Sequence, residues 1–163
     1  MSLATDNIFV TALKSNAELV EALGGVVADP NDESVEEKAP RLYGTAIPLP
    51  DEDLDNVPLP YVIVTFDGLN NDTDTKDCPY EGSYDHVNIG IVVVNKTLTS
   101  LHTLTQMVRD TVLGYFRETE TDVEDYRMSA ERIEFDQLKP SYCQVLRYQC
   151  EVRLHNEEDG EEE

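Results

Sequence analysis

The stretch NNDTDTKDCPYE, residues 70–81, holds four acidic side chains in twelve positions and is the nearest thing in the chain to a chemical motif. Calcium takes six to eight oxygens, and a helix-loop-helix calcium loop supplies them from positions 1, 3, 5, 7, 9 and 12, with Gly at position 6. Counted from Asn70, those positions are Asn70, Asp72, Asp74, Lys76, Cys78 and Glu81, and Thr75 stands where glycine is needed. The flanking segments read as strands, not helices. The expectation is therefore a polar hairpin tip, where Asn and Asp tolerate turn geometry. Whether it holds calcium stays open. The whole connection, residues 67–83, is long enough to carry an interaction. Asp67, Leu69, Asp72, Asp74, Asp77 and Tyr80 are its candidate docking residues.

Other chemistry is sparser. His86, His102 and His155 show no metal spacing. Ser83, Asp85 and His86 do not make a triad, because neighbouring strand residues face opposite ways and no G-x-S-x-G turn is present. No phosphate loop or dinucleotide fingerprint occurs. Carboxylate pairs are common, but in so acidic a chain they say nothing about acid-base catalysis. We expect no enzyme activity and no cofactor.

The charge is strongly one-sided: 34 acidic against 12 basic residues, a formal net charge of -22 over 163 residues. Runs of acids fall at 29–37, 51–55, 67–85, 118–125 and 157–163 and leave the periodic segments to build a core. A nucleic-acid binder would need a basic stripe to displace counterions, and none is present. Asp51, Glu52, Asp53 and Asp55 lie in a proline-rich connector, residues 47–60, which cannot be helix or inner strand. No apolar run approaches the ~20 residues a bilayer span needs, and residues 1–6 lack the basic and apolar parts of a signal peptide. The three cysteines form no C-x-x-C pair, in keeping with a cytosol-like compartment. Cys143 and Cys150 share one expected strand, roughly 23 Å apart, beyond the about 7 Å a disulfide spans.

These side chains must be positioned by a small set of elements. Ile8, Phe9, Ala12 and Leu13 recur at helical spacing. Ser15-x-x-Glu18 reads as a capping box for a second helix with Leu19, Val20 and Leu23 as its stripe, stopped by Gly24-Gly25. Residues 26–40 look like a flexible acidic insertion, and 41–47 like a short strand. Residues 61–66 and 84–94 form the arms of a hairpin, the second with Val87, Ile89, Ile91 and Val93 alternating. Leu98, Leu101, Leu104, Val108, Val112 and Tyr115 mark one face of a long helix. Ile133 and Phe135 suggest a strand, and Tyr142 to Leu154 alternate through a last one whose polar face carries Arg147, Gln149, Glu151 and Arg153. The fold class is α+β, a mainly antiparallel sheet with helices packed on one face. We expect a single domain over residues 1–156 and an acidic disordered tail over 157–163.

The succession LVEALGG, RLYGTAIP, LPYVIVTF, MVRDTVLGYF and YCQVLRYQCEVRL resembles the tail-terminator, or tail-completion, family of long-tailed bacteriophages. The likeness spans most of the chain through short motifs and element order; residues 26–40 and the tail after His155 depart from it. It implies a structural virion protein that caps the tail tube and joins it to the head, as a ring of identical subunits and typically a hexamer. The implied partners are further copies of the chain, the tail tube protein and the head-tail connector proteins. It also implies assembly in the cytoplasm of a bacterial host and residence in the tail or neck of the virion. The face of Arg147, Gln149, Glu151 and Arg153 is then a candidate subunit interface. Asp51, Glu52, Asp53 and Asp55 are candidate lumen acids that would let DNA pass without sticking. The -22 charge alone motivates a different reading, an acidic DNA mimic that inhibits a DNA-binding enzyme.

Overall fold

A computed structural model describes residues 2–45, 57–71 and 84–153. Helices α1 (Ser2–Lys14) and α2 (Ala17–Ala22) come first, then strands β1 (Leu42–Thr45), β2 (Tyr61–Asn71) and β3 (Tyr84–Asn95). Helix α3 (Leu98–Glu118) and strands β4 (Val123–Ala130), β5 (Glu134–Asp136) and β6 (Ser141–Arg153) follow. Among the described residues the strands form one sheet ordered β1-β2-β3-β6-β4, with β5 also on β6. All pairings are antiparallel except β1 with β2. The α+β class and the helices on one face agree with the sequence reading; the parallel β1 is new.

Alternation decides which strand face is buried. Val87, Ile89, Ile91 and Val93 of β3 meet Val62 and Val64 of β2 and Leu146, Tyr148 and Cys150 of β6 in the core. Against this face α3 lays Leu101, Leu104, Val108 and Val112, and α1 lays Phe9 and Leu13. Phe9 stacks edge-on with Phe116 at 5.4 Å and lies 5.2 Å from the Tyr148 ring, so α1, α3 and β6 meet at one aromatic joint. Thr105 is buried on the same side of α3, and its hydroxyl finds no partner among the described residues.

The helix ends follow capping chemistry, with one correction. The N-cap of α2 is Asn16, whose side chain accepts the Glu18 N–H at 3.0 Å, and not Ser15. Ser15 still belongs to the end of α1: its N–H reaches Thr11 O and its hydroxyl donates to Ala12 O at 2.6 Å. At the other end Gly24, at φ +81°, and Gly25 donate to Glu21 O and Val20 O, the paired bonds of a Schellman motif. For α3 the box is Thr97 with Ser100, each backbone N–H bonded to the other's hydroxyl.

Two segments differ from their sequence reading. Residues 26–40 follow a defined path, closed by paired backbone bonds between Val26 and Lys38 and turned by the Asp29 and Asp32 side chains. The Ser34 hydrogen bonds lower the Asp32 pKa. Strand β4 lies where the acids of 118–125 read only as a connection. A register shift between Val123 and Asp125 breaks its alternation, which hides the strand in the sequence. Strands β4 and β5 run in line along the same side of β6, interrupted at 131–133.

Burial in this core pushes the Cys150 thiol up to about 12 from an ordinary 9.0, and raises the Tyr148 phenol in the same way. An unfolded chain loses the thiol proton first, so the stabilisation is whole below pH 9 and is lost as pH climbs towards 12. The slope reaches at most about 1.4 kcal/mol per pH unit. Urea midpoints compared at pH 8 and pH 10.5 should fall more steeply for the wild type than for Cys150→Ala.

Candidate interaction surface

The sheet face turned away from the helices carries the residues with polar chemistry. Cross-strand register arranges them in rows: His86, Glu151 and Asp125; then Asn88, Gln149 and Arg127; then Gly90, Arg147 and Ser129. The apolar end of this face, Tyr61 opposite Val94, is buried under the β5–β6 turn. There the Lys139 ammonium lies 5.8 Å over the Tyr61 ring and donates to Val57 O at 2.7 Å.

A bulge in β2 organises the centre. The register shifts between Phe66 and Gly68, and Gly68 takes φ +138°, a conformation a side chain would strain. Asp67 is thereby carried onto the open face. Its carboxylate accepts the Thr65 hydroxyl at 3.0 Å and the Arg147 Nη1–H at 2.6 Å. The Arg147 Nε–H donates to Glu131 at 2.5 Å. Gly90 lies below: a Cβ there would stand 2.6 Å from Thr65 Oγ1 and 2.7 Å from Asp67 Oδ2. The missing side chain makes room for a polar chain that crosses from β2 over β3 to β6 and the end of β4. Bonding to Glu131, then the field of both carboxylates, raises the Arg147 pKa further.

The Arg147 side chain is 45% exposed, so solvent screens both pairs. A double-mutant cycle of Arg147→Ala with Glu131→Gln should give a coupling of about 0.2–1 kcal/mol, reduced in high salt. Denaturation midpoints of the four proteins measure it.

The structure places the sequence-predicted residues unevenly. Arg147, Gln149 and Glu151 share the open face as expected, but Arg147 is already engaged within its own chain. Arg153 closes β6 opposite Tyr84. Asp67 belongs to the polar chain rather than to a loop tip, because β2 continues to Asn71. Leu69, 41% exposed, pairs with Val87 towards the helix side. Asp72, Asp74, Asp77 and Tyr80 of the docking loop lie outside the described residues, as do Asp51, Glu52, Asp53 and Asp55. The same holds for most of the calcium-like stretch.

Asp85 is buried on the helix side while His86 faces the open side, so the two point apart as expected. His102 is exposed on α3, at the rim of an open groove of about 650 Å³ with Asn16, Gln106 and Asp110. Among the described residues no three His, Cys, Asp or Glu side chains are grouped to hold a metal. No described helix is long and apolar enough to cross a membrane. Asp125, Arg127 and Glu131 of this surface escaped the sequence reading because β4 did; Gly90, alone in an alternating strand, was the available signal.

No protein-family model matches the chain, and no curated protein matches it. A solved structure does: a chain of the "virion of native gene transfer agent (GTA) particle" aligns with a TM-score of 0.51 over 90% of this chain and 92% of that one. The two share a fold. Identity is 13%, so the likeness concerns architecture, and it extends over most of both chains.

Proposed function

We propose that this chain is a structural, non-enzymatic subunit of a phage-like virion. The observation that carries the reading is the fold shared with a virion chain over nine-tenths of both lengths. In finer terms, the subunit caps the tail tube and joins it to the head as a closed ring of identical copies, six being the number implied by the resemblance of its motifs to tail-terminator proteins. Its neighbours in that role are the tail tube protein and head-tail connectors, and DNA passes through the ring without specific binding.

A layered subunit suits head-to-tail closure, since its two sides are chemically different. One side is the open polar sheet face with Gln149, Glu151 and Arg127, and the other is the helix layer. The -22 charge disfavours retention of phosphates along a bore.

Light scattering coupled to size exclusion, with and without tail tube protein, tests this. A closed ring of uniform mass, visible by cryo-microscopy at the end of a tube, is the expected result. A chain that stays monomeric at high concentration and does not bind tube ends would overturn the ring and cap. Turnover of a substrate in a defined pocket would overturn the structural role.

A further inference from the structure

A second feature lies on the helix side. Between the end of α1, α2 and the returning loop opens a cleft of about 350 Å³, lined by Lys14, Lys38, Val20, Val26, Val27 and Glu37. Val26 and Val27 remain 38% and 46% exposed, an apolar floor in contact with solvent. Lys14 and Lys38 are two of five lysines in a chain of net charge -22, and neither has an ion-pair partner among the described residues.

The cleft wall is built and held. Val26 and Lys38 exchange backbone hydrogen bonds at 2.9 and 3.0 Å. Gly25 lets the stretch from Lys38 to Pro40 press against Val20 where a Cβ would not fit. With Glu37 in the same lining, the cleft sets two ammonium groups against one carboxylate beside exposed valines, which favours a peptide that offers carboxylates beside aliphatic side chains.

Among the acidic runs one is richest in that chemistry, with three large aliphatic residues against one each in 29–37 (Val35), 67–85 (Leu69) and 118–125 (Val123). In residues 46–56, AIPLPDEDLDN, Ile47, Leu49 and Leu54 stand among Asp51, Glu52, Asp53 and Asp55. The acidic run of 157–163 has no aliphatic residue. Pro48 and Pro50 limit the chain entropy that binding must remove. We infer that the lysine cleft of one copy receives the stretch 46–56 of a second copy. This rests on the ring reading for why copies lie side by side, and it gives the four acids a partner on a neighbouring subunit.

The test is a fluorescence-anisotropy titration of the synthetic peptide AIPLPDEDLDN into the full chain. Saturable binding is expected, weakened at least tenfold in a Lys14→Glu, Lys38→Glu variant and at raised salt. The peptide EEDGEEE should bind at least tenfold more weakly than AIPLPDEDLDN. Both lysines line a solvent-open cleft, and circular dichroism verifies that the variant is folded. Absence of peptide binding, or binding indifferent to the lysine changes, overturns the proposal. With the chain diluted until light scattering shows a monomer, peptide binding that appears only after its own residues 46–56 are replaced by a Gly-Ser linker means that each copy fills its own cleft, and this also overturns the proposal. Peptide binding by a chain that forms no ring upholds the cleft and removes the ring reading alone. Rings that persist in the lysine variant remove the cleft and leave the ring.

Discussion

Phe9→Ala should lower the unfolding free energy by about 3–5 kcal/mol, the largest loss we expect from a single side chain. Phe9 is wholly buried, and its ring touches those of Phe116 on α3 and Tyr148 on β6. Deleting the ring removes its transfer free energy and both aromatic contacts. It also leaves a void between three elements that cannot all relax into it. Domains of this kind are stable by roughly 5–15 kcal/mol, so the change should spend a large part of the margin. Chemical denaturation would show a lower midpoint at unchanged slope, and Phe9→Leu should recover part of the loss. A Phe9→Ala loss under about 1 kcal/mol would mean that α1 is not seated on the sheet as described.

Gly25→Ala should destabilise by about 1–3 kcal/mol although it adds one methyl group. The new Cβ would stand 2.7 Å from Val20 Cγ1, 2.9 Å from the Pro40 backbone nitrogen and 3.0 Å from Lys38 O. Two of those three atoms are main chain, so relief requires the returning loop to lift from α2. The contrast is Gly114, within α3, where nothing lies within 4 Å of an added Cβ. Gly114→Ala should stabilise by up to about 1 kcal/mol, because alanine loses less backbone entropy in a helix. Thermal melts of the two variants, moving in opposite directions, would separate steric from propensity effects. Equal shifts would contradict the packing around Gly25.

Much of the architecture was legible because two elements carry strong periods. The alternation through β3 and the stripe along α3 are driven by burial, and both elements appear where the residues placed them. Strand β4 was not legible, since its bulge breaks the period of two and its edge position leaves little to bury. The parallel β1 is too short to announce its direction. At the candidate surface, the polar face of β6 could be read from alternation alone. The Asp67–Arg147–Glu131 chain could not, because its partners are 80 and 16 residues apart and meet only through the β2 bulge and the bare Gly90.

The interruption between β4 and β5 bears on how copies can associate. An uninterrupted outer strand would offer a straight row of amides and carbonyls on which another chain could template itself without limit. Here that border is interrupted at 131–133, shifted in register near its start, and flanked by Glu124, Arg127, Glu131 and Glu134. Ribbon-like growth by strand addition is discouraged, and side-chain surfaces are left to govern assembly. On this border the sheet is built so that it does not extend itself.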